Sequence, residues 1–222
     1  MVELFSHLLL VGLGAAISPV AATICFSLLG TRKPLANALA LTLGYGVVLA
    51  VISVGALAFF GGRPELGAGR HSDIRNTLDA AIGALLIVFA LKALLHTPDP
   101  NAPPPKWVAA VSSITPPRAV LLGMVLVLTN PTTLALYVSG LKEVVVASLG
   151  AVEDAVVLLV FILLVELEFL VPISAYAATP QRTLALMEAI HKRLERHGRS
   201  IEVVVLSVLG ALLLRKGLAG LL

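Results

Sequence analysis

Residues 8–29 read LLLVGLGAAISPVAATICFSLL, and residues 119–141 read AVLLGMVLVLTNPTTLALYVSGL. Each is an apolar run interrupted by a proline behind a small polar residue, Ser18-Pro19 in the first and Asn130-Pro131 in the second. Proline has no backbone N–H and its ring clashes with the preceding turn, so a helix built from either run is broken or kinked near its middle. In hydrocarbon the freed carbonyls are tolerated only against protein or along a cavity, and a matched pair of interrupted spans marks the central site of a secondary transporter. The pair therefore predicts a membrane carrier.

The rest of the chain agrees with that class. Of its 222 residues 58% are hydrophobic and only 13% charged, and the mean hydropathy is +0.99, which no soluble domain matches. Runs long enough to cross a bilayer, which takes roughly 20 helical residues, occur at about 4–29, 36–60, 74–95, 119–140, 152–178 and 201–221. The prediction is an all-α integral membrane protein of six transmembrane helices. A net charge of +3 is carried by basic residues beside span ends, where anionic lipid is the nearer partner, so nucleic-acid binding is not expected. The single cysteine, Cys25, allows neither a disulfide nor a two-thiol relay within one chain. The first run is too long for a signal-peptide core and its start carries no Lys or Arg, so it is expected to persist as a mature helix.

Arg32, Lys33, Lys92, Lys106, Arg118, Arg182, Lys192, Arg193, Arg196 and Arg199 fall in the first, third and fifth connections, against Arg63, Arg70, Arg75, Lys142, Arg215 and Lys216 in the others and the C-terminus. The positive-inside rule then places the odd connections in the cytoplasm and both termini outside the plasma membrane. Sliding the chain on itself by the separation of Ser18 and Asn130 matches Pro19 with Pro131, Ser27 with Ser139 and Leu29 with Leu141. Each proline then lies in the first span of a three-span half, and an odd number of spans forces the halves into opposite orientations. The expected architecture is two inverted three-helix repeats with broken first and fourth helices: residues 1–95, a cytoplasmic Pro-rich connection with an interfacial segment at 96–118, and residues 119–222. Within the second repeat, residues 180–198 are expected to form an interfacial amphipathic helix. Pro180 opens it, Gly198 closes it, and Leu184, Met187, Ile190 and Leu194 form its apolar stripe.

Glu166 and Glu168 lie near the middle of the fifth run. A carboxylate there costs about 2.5–3.5 kcal/mol on insertion scales, so such residues face a cavity, pair or hold a proton, and often mark a transport path. Two residues apart they point about 200° away from each other on a helix, so both line one site only if the helix unwinds near Pro172. One carboxyl binding a proton or cation coupled to substrate movement stands beside the plainer reading of a carboxyl bonded to a neighbouring helix. The expected substrate or coupling site comprises Ser18, Pro19, Asn130, Pro131, Thr132, Tyr45, Glu166 and Glu168. Gly12, Gly14, Gly44 and Gly46 read first as close-packing positions, and such small-residue faces allow a homodimer without requiring one. The five histidines lack ligand spacing, and neither a nucleophile motif nor a phosphate-cradling loop is present. No metal, cofactor or enzymatic activity is expected.

Ile17-Ser18-Pro19-Val20, Arg32-Lys33-Pro34, Pro105-Lys106-Trp107 leading into Thr115-Pro116-Pro117-Arg118-Ala119, Asn130-Pro131, Pro172, Tyr176, Pro180, Arg182, Gly210 and Gly217 form an ordered series along the whole chain. The series resembles the glycopeptidolipid- or sulfolipid-addressing (GAP/Sap) family within the lysine-exporter superfamily. The resemblance implies a six-span plasma-membrane protein assisting export of cell-envelope lipids, or, across the superfamily, of amino acids or other small solutes. Glu166 and Glu168 depart from the family's pattern, which is apolar or small at that point. The superfamily's thiol-electron carriers need paired cysteines, which Cys25 alone does not supply. A non-transporting scaffold of a lipid-export machine is the remaining alternative.

Overall fold

The computed structural model describes residues 2–60, 70–95, 111 and 113–220, with side chains at all of these except 2, 60, 70–75, 187–188, 190–199 and 201–202. Every regular element among them is an α-helix: α1 (Val2–Ala15), α2 (Pro19–Leu29), α3 (Pro34–Phe60), α4 (Arg70–Leu95), α5 (Pro116–Thr129), α6 (Pro131–Ala147), α7 (Ala151–Val165), α8 (Leu167–Ala178) and α9 (Pro180–Ala219). Proline is the first residue of α2, α3, α5, α6 and α9. At that position its missing N–H costs nothing and its fixed φ suits the helix. The Pro-rich connection at 96–110, including Trp107, lies outside the described residues.

Residues 34–59 and 76–95 are each long and apolar enough to cross a bilayer. Three bent pairs meet the same condition when each is counted as one span, which gives two to five candidate spans among the described residues. The expected breaks occur: α1 and α2 meet at 62°, and α5 and α6 at 77°. A third break, which the sequence had not indicated, bends α7 against α8 by 66°. It falls at Glu166 and not at Pro172, which stands inside α8. Glu166 adopts φ −75° and ψ −3°, and its carbonyl accepts from the N–H groups of both Phe169 and Leu170 at 2.9 Å, the tight three-residue closure that turns a helix axis. Gly198 does not close a helix either. The chain continues as helix through it to Ala219, a 40-residue element about 60 Å long, twice the roughly 30 Å hydrocarbon core. A glycine inside a helix costs about 1 kcal/mol against alanine, too little to stop a helix that is otherwise favourable on both sides.

Glycines set how the helices approach. A Cβ on Gly44 would overlap the Val120 backbone, and one on Gly123 the Leu41 carbonyl, so α3 and α5 touch backbone to backbone. Helices α4 and α9 run antiparallel, with Gly83 against Gly210 and Leu214 while Gly217 lies against Asn76 and Ala80. Helix α1 crosses α6 in the same sense, Ala15 beside Thr133 and Val11 beside Gly140. Leu28, Leu41, Leu86, Leu136 and Leu206 fill the interior, whereas Leu39, Val51, Val88, Leu121 and Val160 lie on the outer surface. That apolar exterior is the expected face toward lipid tails.

Gly123→Val forces the α3 and α5 backbones apart, and overpacking of this kind costs about 1–3 kcal/mol. Thermal melting in detergent, followed by size-exclusion fluorescence, is expected to show a lowered midpoint for Gly123→Val. Gly55→Ala, whose Cβ meets nothing within 4 Å, is expected to melt at or above the wild-type midpoint, since alanine is the better helix former.

Candidate functional site

The two proline breaks meet in space. Ser18 caps α2, its Oγ accepting from the Ala21 N–H at 3.3 Å. Asn130 caps α6, its Oδ1 accepting from the Thr133 N–H at 3.2 Å. The Asn130 Nδ2 then donates to Ser18 Oγ at 3.1 Å, so the two caps bind one another across 112 residues of sequence. The orphaned carbonyls are also served. Pro19 leaves the Ala15 carbonyl without its usual donor, and the Thr133 hydroxyl of the other broken helix lies 3.5 Å from it. Pro131 does the same to Val127, whose carbonyl accepts from the Asn130 N–H at 3.3 Å.

This junction forms the floor of a cavity of 390 Å³. Ser18, Pro19, Asn130, Pro131 and Thr132, all expected from the sequence, line it together with Thr133. Its walls are Ile17, Val20, Phe89, Leu126, Val205 and Leu206, and Lys92 of α4 contributes the one ionic group among the lining residues. Polar floor, single cation and apolar walls make the lining amphipathic. Lys92, counted from the sequence as a connection charge, is part of α4.

Tyr45, Glu166 and Glu168 form a second group behind this floor. The bend at Glu166 turns both carboxylates inward despite their spacing. Glu166 is buried, and Gly46 makes room for it: a Cβ there would come within 2.5 Å of Glu166 Oε1. Gly46 thus serves the carboxylate in addition to helix packing. Glu168 lies near Cys25 of α2, Tyr45 of α3 and Glu166 itself. Tyr45 is fully buried, its ring edge-on to Phe169 at 5.0 Å, and its hydroxyl is directed toward Glu168 and Thr133 without closing a bond of normal geometry. Neither that hydroxyl, nor Glu166 Oε1, nor either Glu168 oxygen has a hydrogen bond among the described residues. Tyr137 differs: its hydroxyl reaches Ser53 Oγ at 2.5 Å and the Leu49 carbonyl at 3.2 Å, and it stacks on Phe161. Tyr137 is satisfied structure, whereas Tyr45 and the two glutamates are buried polar groups left open. Thr133, which touches both the cavity and Tyr45, joins the two groups.

Two features escaped the sequence reading. Asn37 of α3 donates to Thr31 Oγ1 at 2.9 Å and to the Ile114 carbonyl at 3.2 Å, tying together the two connections at one end of the bundle. At the other end Lys142 pairs with Asp79, and Lys216 with Glu143, inside the helices and not in connections. No group of three or more metal-ligating side chains occurs among the described residues.

Bent apolar helices whose breaks cap one another over an amphipathic cavity define an all-helical membrane protein built around interrupted spans. The chain belongs to the family described as Sap, sulfolipid-1-addressing protein, whose family model matches residues 8–219. Comparison with curated proteins and with solved structures gives no match.

Asn130→Ala removes the α6 cap and the tie to Ser18 together, and loss of a cap costs about 0.5–2 kcal/mol. Asn130→Asp keeps the acceptor for the Thr133 N–H, loses the donor to Ser18 and adds a carboxyl at the α6 N-terminus, where the helix dipole favours it. In detergent melts the alanine variant is expected to fall further than the aspartate variant.

Proposed function

We propose that the protein is a plasma-membrane transporter that moves a cell-envelope lipid, through six spans arranged as two inverted three-helix halves. The observation that carries this reading is the Ser18–Asn130 hydrogen bond at the floor of the cavity. The two residues it joins are those that an offset of 112 superposes, as expected where two oppositely oriented halves meet on their shared axis. The antiparallel course of α4 and α9, the last elements of the two halves, supports the same arrangement. Counting α9 as the sixth span puts His7, Asp79, Lys142 and Lys216 at one face of the membrane and Asn37 with Ile114 at the other, in keeping with termini outside and odd connections in the cytoplasm.

A lipid is favoured over a small solute because the cavity is amphipathic. A sulfolipid, named in the family's description, combines an anionic headgroup suited to Lys92, Ser18, Asn130 and Thr132 with chains suited to Ile17, Val20 and Phe89. Glu166, Glu168 and Tyr45 supply the coupling site in this reading. Two buried carboxylates with unbonded oxygens and no cationic partner among the described residues are costly unless they take up a proton or another cation. Thr133 is the contact through which that uptake reaches the cavity.

Proteoliposomes carrying labelled sulfated and uncharged glycolipids, with amino acids as comparison cargo and an imposed pH gradient, test the proposal. Wild type is expected to move lipid, and Glu166→Gln or Glu168→Gln to lose the acceleration by the gradient. Lys92→Gln is expected to weaken sulfated lipid about two- to fivefold, the factor for an exposed charge contact of about 0.4–1 kcal/mol, and to leave the uncharged lipid unchanged. Movement of amino acids without lipid would make the protein a small-solute exporter. Movement of neither by folded protein would favour the scaffold.

A further inference from the structure

At the end of the bundle away from the cavity lies a cluster of charges that the transport site does not use. Lys142 of α6 pairs with Asp79 Oδ1 of α4 and lies 3.5 Å from Glu143 Oε1. Lys216 of α9 lies 2.8 Å from the same Glu143 oxygen and 3.8 Å from Asp79 Oδ2. His7 of α1 stands within electrostatic reach of all four and 3.4 Å from Ser139 Oγ. The Asp79 side chain is 0% exposed and that of Lys142 8%, whereas Lys216 at the edge is 39% exposed. Asn76 Nδ2 donates to the Gly220 carbonyl at 2.7 Å, fastening the first turns of α4 to the end of α9 beside the cluster.

Position gives the cluster its meaning. The three helices that carry it, α4, α6 and α9, also line the cavity, through Phe89 and Lys92, Asn130 to Thr133, and Val205 and Leu206. Along each helix the charges lie about 10–13 residues from the cavity, roughly 15–20 Å at the helical rise. Between the two levels lies an apolar layer of Ile82, Leu86, Leu136, Leu209 and Leu213, all buried. The cavity therefore ends at a hydrophobic plug backed by an ionic latch. The Asp79 contacts to Lys142 and Lys216 cross from the first half of the chain to the second, so the halves cannot part at this end without separating them. Two cations against two anions make the set neutral when closed. Opening leaves each charge to be rehydrated or stranded, and a stranded buried charge is strongly unfavourable. Such a contact gives two discrete states and not a gradual deformation.

We propose that Asp79, Lys142, Glu143 and Lys216 form the gate at the end of the bundle remote from the cavity, and that cargo passes there only when Asp79 parts from both lysines. The inference rests on the transport reading, but its test does not require cargo. A reporter cysteine is placed in the plug as Leu136→Cys, with the buried native thiol removed as Cys25→Ala. Labelling by a membrane-impermeant maleimide is then timed in proteoliposomes, intact and permeabilised. Lys142→Met is expected to speed labelling by about tenfold or more, the factor for roughly 1.4 kcal/mol of closing free energy. Lys142→Arg, which keeps the cation opposite Asp79 and Glu143, is expected to keep labelling slow. Lys216→Gln, at the half-exposed edge, gives a smaller increase and serves if Lys142→Met does not fold. Wild-type labelling rates in Lys216→Gln and in every other folded variant would overturn the gate. Faster labelling in a protein that moves no lipid would keep the gate and remove the transport reading instead.

Discussion

Every backbone group that proline orphans inside an apolar bundle must find a partner from the protein, because no water is there to supply one. Pro19 and Pro131 create that demand twice, and the structure meets it by bringing the two breaks together. Thr133 serves the Ala15 carbonyl, and Asn130 binds Ser18 while each residue caps its own helix. Once the caps are joined, α1 must cross α6, and the flanking helices must pass beside the junction. The cavity above Ser18 and Asn130 follows from the bends, since two helices turning by 62° and 77° cannot fill the space a straight pair would occupy.

The carboxylates obey the same rule with a different outcome. Tyr137 and Ser53 satisfy each other and the Leu49 carbonyl, and that part of the bundle is closed polar structure. Tyr45, Glu166 and Glu168 are as deep but keep open valences. Gly46 leaves room for the Glu166 carboxyl, whose Oε1 is accommodated without a hydrogen bond among the described residues. A buried polar group that is given room and no partner suits a role in which a small ion comes and goes. Asp79, Lys142 and Lys216, on α4, α6 and α9, are by contrast paired across the two halves of the chain. The molecule thus separates buried carboxylates left without hydrogen-bond partners from charges paired with one another.

Some of this was legible beforehand because it depends on single residues. Proline lacks an N–H in any context, so the breaks at 18–19 and 130–131 could be read from the chain, as could the helix starts at Pro34, Pro116 and Pro180. The third break could not. Glu166 has no intrinsic tendency to end a helix, and its turn is set by the packing of α7 and α8 around α3. The helix expected to stop at Gly198 runs on for the same kind of reason, since a local penalty of about 1 kcal/mol is outweighed by the helix on either side. Lys92, Lys142 and Lys216 were read as charges of the connections because hydropathy sees only the edge of an apolar run. Which side of a helix faces inward is invisible to it.

By itself the sequence determined that the chain is an all-helical membrane protein with two interrupted spans, and it named Ser18, Pro19, Asn130, Pro131 and Thr132 as the residues of the interruptions. These depend on composition and on the covalent chemistry of proline, which no fold can change. Only the tertiary structure decided that the interruptions cap one another, that Glu166 and Glu168 turn to the same side, and that Asp79 meets Lys142 and Lys216. Each of those joins residues tens to more than a hundred positions apart, or depends on a bend fixed by neighbouring helices. Such contacts follow from how the halves pack, and the packing is settled by many weak contacts acting together rather than by any one residue along the chain.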